Sequence, residues 1–215
     1  MCNDIVKSIE QNKIIAIVRG VSRDALIPLA EALYEGGIRL LEITFCADGK
    51  VSDTDTADNI AILAKRFEGR MAIGAGTVLT ESQVELVAKA GGRFIISPDT
   101  NQAVINKTKE LGLVSIPGAL TPSEITAAAR AGADFVKLFP VTSLGPEYIK
   151  AVSAPLSHIK LLAVGGVDLG NIKEFLKAGV CGFGLGSNII DKKLIAEGNF
   201  GGITELARKY VEEIK

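Results

Sequence analysis

The chain has 215 residues, 47% of them hydrophobic, with 24 Lys plus Arg against 25 Asp plus Glu and a net charge of −1. This balance leaves no basic field to hold nucleic acid or an anionic membrane, so an anionic ligand must be caught by local groups. No stretch approaches the roughly 20 apolar residues a membrane-spanning helix needs, and a single histidine, His158, rules out a His-rich metal site.

In chain order, the first dozen residues read as a short extra helix. Their apolar run is short and lacks a small-residue cleavage site, so they do not read as a secretion signal. Eight short apolar runs follow: IIAIVR (14–19), RLLEIT (39–44), MAIGAG (71–76), RFIIS (93–97), LVSIP (113–117), DFVKLF (134–139), KLLAVGG (160–166) and CGFGLG (181–186). Each is rich in aliphatic or β-branched residues and bounded by turn signals, as in strands buried on both faces. Between them lie segments with apolar residues at three- and four-residue spacing, such as ALIPLAEALYEG, ESQVELVAKAGG and TPSEITAAARAG. Several start with Ser, Thr or Asp and end in Gly, the usual limits of a helix. The tail ITELARKYVEEIK reads as a closing helix.

The phrases EGGIRLLEI, KAGGRFIIS, RAGADFVKL and KAGVCGFGL each run from helix end through glycine to strand, a unit recurring roughly every 25 residues. Eight strands alternating with helices, without long insertions, point to an α/β fold of the (β/α)8 TIM-barrel type with a short N-terminal helix. A doubly wound open sheet is the second choice. The length suits one domain over residues 1–215. The three cysteines, Cys2, Cys46 and Cys181, are scattered and odd in number, which favours a reducing cytoplasm over a disulfide framework.

In such a barrel the chemistry sits at the C-terminal ends of the strands. That rule selects Arg19, Glu42, Thr44, Thr77, Ser97, Pro117, Lys137, Gly165 and Ser187. Lys137 lies in FVKLFP between Val136 and Leu138, and burial there favours the neutral, nucleophilic amine. The alternative is a lysine snorkelling from a strand end. Glu42 is similarly isolated in RLLEITF. It suits either proton transfer or a core ion pair with Arg19 or Lys137. Strand alternation puts Leu40, Glu42 and Thr44 on one face, the lumen side. Arg19 fits a substrate carboxylate or pairs with Glu42. The glycine pairs of AVGGV (163–167) and GLGSN (184–188), the second opening a helix, suit an anion held by backbone amides, or are tight turns alone. Cys46 and Cys181 lack a base, and His158 reads as a surface residue before the seventh strand.

These phrases are where a resemblance arises. LEITF, GAGTVL, FIISPD, IPGALTPSE, VKLFP, AVGGV and GLGSN occur in order and at fitting spacing over nearly the whole chain. The chain resembles the 2-keto-3-deoxy-6-phosphogluconate (KDPG) aldolase and 4-hydroxy-2-oxoglutarate (KHG) aldolase family. The resemblance implies that Lys137 forms a Schiff base, that Glu42 shuttles protons, and that Thr77 contacts the pyruvate moiety. It also places Pro98 of FIISPD and Phe139 of VKLFP among the substrate contacts, with Gly165, Gly166, Gly186 and Ser187 around the distal phosphate. It implies a cytoplasmic homotrimer in Entner–Doudoroff-type sugar-acid breakdown, with no metal and no cofactor beyond the covalent lysine adduct.

Two departures stand out. Many members carry an arginine four residues after the glutamate, where this chain has Cys46, so Arg19 is expected to grip the carboxylate. Many gluconate-specific members read PTGG where this chain reads AVGG, so Val164 stands in place of a threonine. The related 2-dehydro-3-deoxy-6-phosphogalactonate (KDPGal) aldolases resemble this chain there. The expected reaction is cleavage of KDPG to pyruvate and glyceraldehyde 3-phosphate, and of 4-hydroxy-2-oxoglutarate to pyruvate and glyoxylate, with KDPGal as the alternative substrate. Competing readings are a phosphate-binding barrel isomerase or synthase that uses Lys137 only as a cation, a metal-dependent pyruvate aldolase, and a non-catalytic sugar-phosphate-binding barrel.

Overall fold

The computed structural model describes residues 2–215. Its elements are α1 (Cys2–Asn12), β1 (Ile14–Val18), α2 (Arg23–Glu35), β2 (Leu40–Thr44), α3 (Asp53–Arg66), β3 (Ala72–Gly76), α4 (Glu81–Lys89), β4 (Phe94–Ile96), α5 (Gln102–Glu110), β5 (Val114–Ile116), β6 (Gly118–Ala119), α6 (Pro122–Arg130), β7 (Val136–Leu138), α7 (Gly145–Ser153), β8 (Leu161–Val164), α8 (Ile172–Lys177), β9 (Gly182–Leu185), α9 (Lys192–Ala196) and α10 (Phe200–Glu213). The strands pair in parallel in the order β5-β4-β3-β2-β1-β9-β8-β7-β6.

The two ends of that order, β5 and β6, are consecutive pieces of one strand separated by Pro117 alone. The sheet therefore closes on itself, as the (β/α)8 reading expects, and the open doubly wound alternative falls away. The fifth expected strand appears as two segments for a local reason. Proline has no N–H to give a ladder, and pairing changes sides around it. Ser97 donates its N–H to Ile116 O at 3.2 Å on one side, and Lys137 donates its N–H to Pro117 O at 2.8 Å on the other.

Alternation divides each strand between two apolar layers. Ala16, Val18, Leu41, Ile43, Val136, Leu138, Phe183 and Leu185 pack outward against the helices. Ile15, Leu40, Phe94, Ile96, Val114, Ile116, Phe135 and Leu162 form a second cluster inside the barrel. Ile5 and Ile9 of α1 join that inner cluster, so α1 plugs the N-terminal end of the lumen. Burying each of the larger side chains contributes roughly 1.5–3 kcal/mol.

The helix limits follow the sequence signals. Thr80 and Asp191 accept N-terminal backbone N–H groups, and Thr121 forms a reciprocal capping box with Glu124. The helical ring closes where α10 meets α2. A Cβ on Gly36 would stand 2.4 Å from that of Ala207, and Thr204 Oγ1 donates to Ala32 O at 3.0 Å. Among the described residues, no helix is long and apolar enough to cross a membrane.

Candidate active site

Above the inner apolar cluster the lumen turns polar. Glu42 on β2 and Lys137 on β7 are only 1% and 7% exposed, and both belong to the inward set. The two share one physical circumstance, removal from water, which disfavours either charge. Burial pushes Glu42 above its ordinary value, and the Lys137 and Arg19 charges oppose that without reversing it. Burial likewise pulls the Lys137 amine down. The Glu42 charge resists this and the Arg19 charge adds to it. Glu42 Oε2 is enclosed and has no hydrogen-bond partner. An orphaned buried acceptor costs roughly 1–3 kcal/mol, a cost that a substrate hydroxyl or water can relieve.

Arg19, just beyond β1, is exposed at the mouth. It makes no hydrogen bond to Glu42. Nη2 instead donates to Thr77 Oγ1 at 3.0 Å. Thr77 itself sits at φ 57°, a conformation worth of order 1–3 kcal/mol of strain for a β-branched residue. The strained threonine aims its hydroxyl at the guanidinium. Thr44 Oγ1 donates to Val18 O at 3.2 Å and ties β2 to β1 beside the site.

Phe139 follows β7 and lies with its ring face 4.5 Å from Lys137 Nζ. Pro98 borders the same sector through its backbone, since a Cβ on Gly118 would stand 2.3 Å from Pro98 O. Gly118 in turn is in register with Lys137.

The two glycine loops adjoin. Asn188 Nδ2 donates to Val167 O at 2.6 Å, and Asn171 Nδ2 donates to Gly166 O at 2.8 Å. Gly166 has φ 83°, and a Cβ there would meet Thr142 Oγ1 at 2.7 Å, so the fold itself demands glycine. Gly186 is different. It has no left-handed φ, and nothing lies within 4 Å of where its Cβ would be. The protein's own packing gives no reason for glycine at 186, which leaves open room beside Ser187. One expectation needs correction. GLGSN does not open a helix: residues 187–190 form a turn closed by Ile190 N–H on Gly186 O at 2.9 Å, and the next helix, α9, starts at Lys192. Any anion binding at Ser187 therefore relies on loop amides and the hydroxyl, without a helix dipole.

Strand-end reasoning missed Gly76. A Cβ there would fall 1.5 Å from Glu42 Oε1, so the space holding the carboxylate exists because β3 is bare at that point. The signal was present in the small-residue run AIGAG, whose Gly74 and Gly76 pair in register with Glu42 and Thr44. Cys181 is half-buried and desolvation pushes its thiol up to about 11, an inert thiol, and Cys46 donates its thiol to Asp48 at 2.8 Å. His158 is exposed in the turn before β8. Among the described residues, no group of three His, Cys, Asp or Glu side chains gathers as a metal site requires.

Comparison with known proteins identifies the family. A family model described as KDPG and KHG aldolase matches residues 5–206. The 2-dehydro-3-deoxy-6-phosphogalactonate aldolase of Escherichia coli (strain K12) is 34% identical over 177 residues, covering 82% of this chain and 83% of that one. The 2-dehydro-3-deoxy-phosphogluconate aldolase of Haemophilus influenzae is 32% identical over 215 residues, covering 98% and 97%. Among solved structures, KDPG aldolase from Legionella pneumophila, with pyruvate captured at low pH as a covalent carbinolamine intermediate, superposes with a TM-score of 0.84 at 30% identity, covering 94% of this chain and 96% of that one. The chain belongs to the KDPG and KHG aldolase family and is a lyase of that type.

Proposed function

We propose that this chain is a class I aldolase, one barrel over its full length, whose Lys137 attacks C2 of a 2-keto-3-deoxy sugar acid. The observation that carries the reading is the pairing of a buried, neutral-leaning lysine with a buried, unpartnered carboxylate on the open side of the lumen. The amine adds to the keto group, and protonated Glu42 gives its proton to the departing hydroxyl as water, leaving the iminium ion. Glu42, now ionised, takes the C4 hydroxyl proton through a water molecule. The C3–C4 electron pair moves into the iminium to form an enamine, and the aldehyde leaves. Protonation of the enamine and hydrolysis release pyruvate and restore the amine, so no cofactor is consumed.

In this reading Arg19 and Thr77 hold the substrate carboxylate, Pro98 and Phe139 wall the reacting carbons, and Gly165, Gly166, Gly186 and Ser187 receive the distal phosphate. The substrates are KDPG, giving glyceraldehyde 3-phosphate, and 4-hydroxy-2-oxoglutarate, giving glyoxylate. Val164 favours a second substrate, KDPGal, because the side chain at the end of β8 is a buried hydrocarbon without a hydroxyl. The enzyme would work in the cytoplasm as a homotrimer. Borohydride added with pyruvate should inactivate it and add mass to the peptide holding Lys137. Labelling of another lysine, or of none, rules out the mechanism and leaves the readings in which Lys137 is only a cation.

A further inference from the structure

The ring of Phe139 lies across the amine that the proposed chemistry uses, Nζ standing 4.5 Å from its centroid over the face. Gly165, at φ 84°, brings its backbone alongside, so that a Cβ there would stand 3.6 Å from Cδ2 and Cε2 of the ring. Phe139 is 38% exposed, unlike the phenylalanines of the core. An aromatic face attracts a cation through its quadrupole, and more strongly where water is excluded. The other charged groups acting on Nζ are Glu42 from β2 and Arg19 from the end of β1.

We propose that Phe139 is a positioning residue whose face stabilises the positive charge of the lysine iminium. The inference rests on the Schiff-base reading and deepens it. Nζ is positive in the ammonium and in the iminium, and uncharged in the free amine. Where the resting lysine is an ammonium, adduct formation exchanges one cation for another beneath the ring, and the ring's contribution cancels. Where the resting lysine is a free amine, a charge is created there and the contribution appears in full. A ring that only touched the pyruvate methyl group would alter adduct formation by the same factor at every pH.

The test replaces Phe139 with 3,4,5-trifluorophenylalanine, which keeps the shape and largely cancels the quadrupole, alongside Phe139→Leu. Half-saturating pyruvate for borohydride trapping at Lys137 is measured across the titration of the amine. Above the midpoint the fluorinated protein should need about three- to thirtyfold more pyruvate than wild type, the range of a cation–π contact. Below it the two should agree within about twofold, and the midpoint itself should move down. An equal change at all pH values, or no change, overturns the proposal and leaves the aldolase mechanism standing. Failure of the unmodified protein to form any Lys137 adduct overturns the mechanism and the proposal together. If Phe139→Leu fails to fold, the fluorinated protein decides alone.

Discussion

At the N-terminal ends of the strands lies a cavity of about 900 Å³ bordered by Arg39, Lys65, Arg70 and Lys89. At the C-terminal ends, the mouth holds Arg19, Glu42 and Lys137. The first is rich in cations, yet Arg39 and Arg70 are already engaged. Arg39 donates to the Tyr34 and Ile38 carbonyls at 2.8 Å and stacks on the Tyr34 ring at 4.2 Å. Arg70 donates to Arg66 O and lies over Tyr34 and Phe67. Lys65 and Lys89 fall in the last turns of α3 and α4, where a positive charge answers the carbonyl end of a helix. At the other mouth Glu42 Oε2 has no partner, Lys137 is buried, and Thr77 is strained. In the proposed reading the chemistry lies with Glu42 and Lys137 at the C-terminal mouth, and the cation-lined cavity at the other end takes no part in it.

The sharpest way to break this contrast is Glu42→Gln. Turnover should fall about 10²–10⁴-fold, the usual contribution of a positioned acid–base group. The same variant tests the electrostatics. Burial holds the folded pKa of Glu42 above the ordinary 4.5, so the folded state binds this proton more tightly than the unfolded chain. Its contribution is fully present below about pH 4.5 and is lost as pH rises through the folded pKa. Glutamine has nothing to lose. The denaturation midpoint of the variant should therefore gain on wild type as pH rises from about 4.5 through the raised folded pKa. A constant difference would mean that Glu42 is not under desolvation stress.

Arg19→Ala should come next. Losing a charge-assisted contact worth about 1.5–3 kcal/mol should raise half-saturating pyruvate roughly 10–100-fold in the trapping assay, since Cys46 offers no cation. Unchanged affinity would assign the carboxylate to backbone amides alone. A smaller effect is expected from Val164→Thr, which restores one hydroxyl at the end of β8. A neutral hydrogen bond of roughly 0.5–1.5 kcal/mol shifts the kcat/KM ratio for KDPG over KDPGal about three- to tenfold towards KDPG. A wild-type ratio above about 10³, roughly 4 kcal/mol, is too large for one hydroxyl to explain. The smallest effect belongs to the opposite end. Arg70→Gln should leave turnover within about twofold and cost no more than about 1 kcal/mol of stability, and a larger loss of activity would show that the two ends are coupled.

Much of this was legible from residues alone. Apolar runs with glycine-marked helix ends mark eight strands, and isolated charges in two of those runs point to Lys137 and Glu42. Three features were not, each for a physical reason. The break in the fifth strand depends on which neighbour each side of Pro117 pairs with, a non-local fact. The bare backbone at Gly76 matters only because the side chain of Glu42 leans across from the next strand. The turn at 187–190 carries the same small residues that cap a helix, and only the hydrogen bonds onto Gly186 O distinguish the two. Family-like phrases point to the family, whereas the spatial relation of Lys137 to the Phe139 ring had to be seen.

The plug formed by α1 has a consequence for traffic. With Ile5 and Ile9 sealed into the inner cluster, the lumen is a blind tube with one opening, and whatever enters must leave by the same route. In the proposed reaction the pyruvate half is tethered to Lys137, while the aldehyde half reaches outward to the glycine loops. Departure then follows the order of a stack, with the last part in being the first out. The aldehyde clears the opening while pyruvate is still bound to the chain, and water reaches the adduct only along the path the aldehyde has vacated. Pyruvate should therefore compete with the substrate for the empty enzyme, whereas the aldehyde product should not.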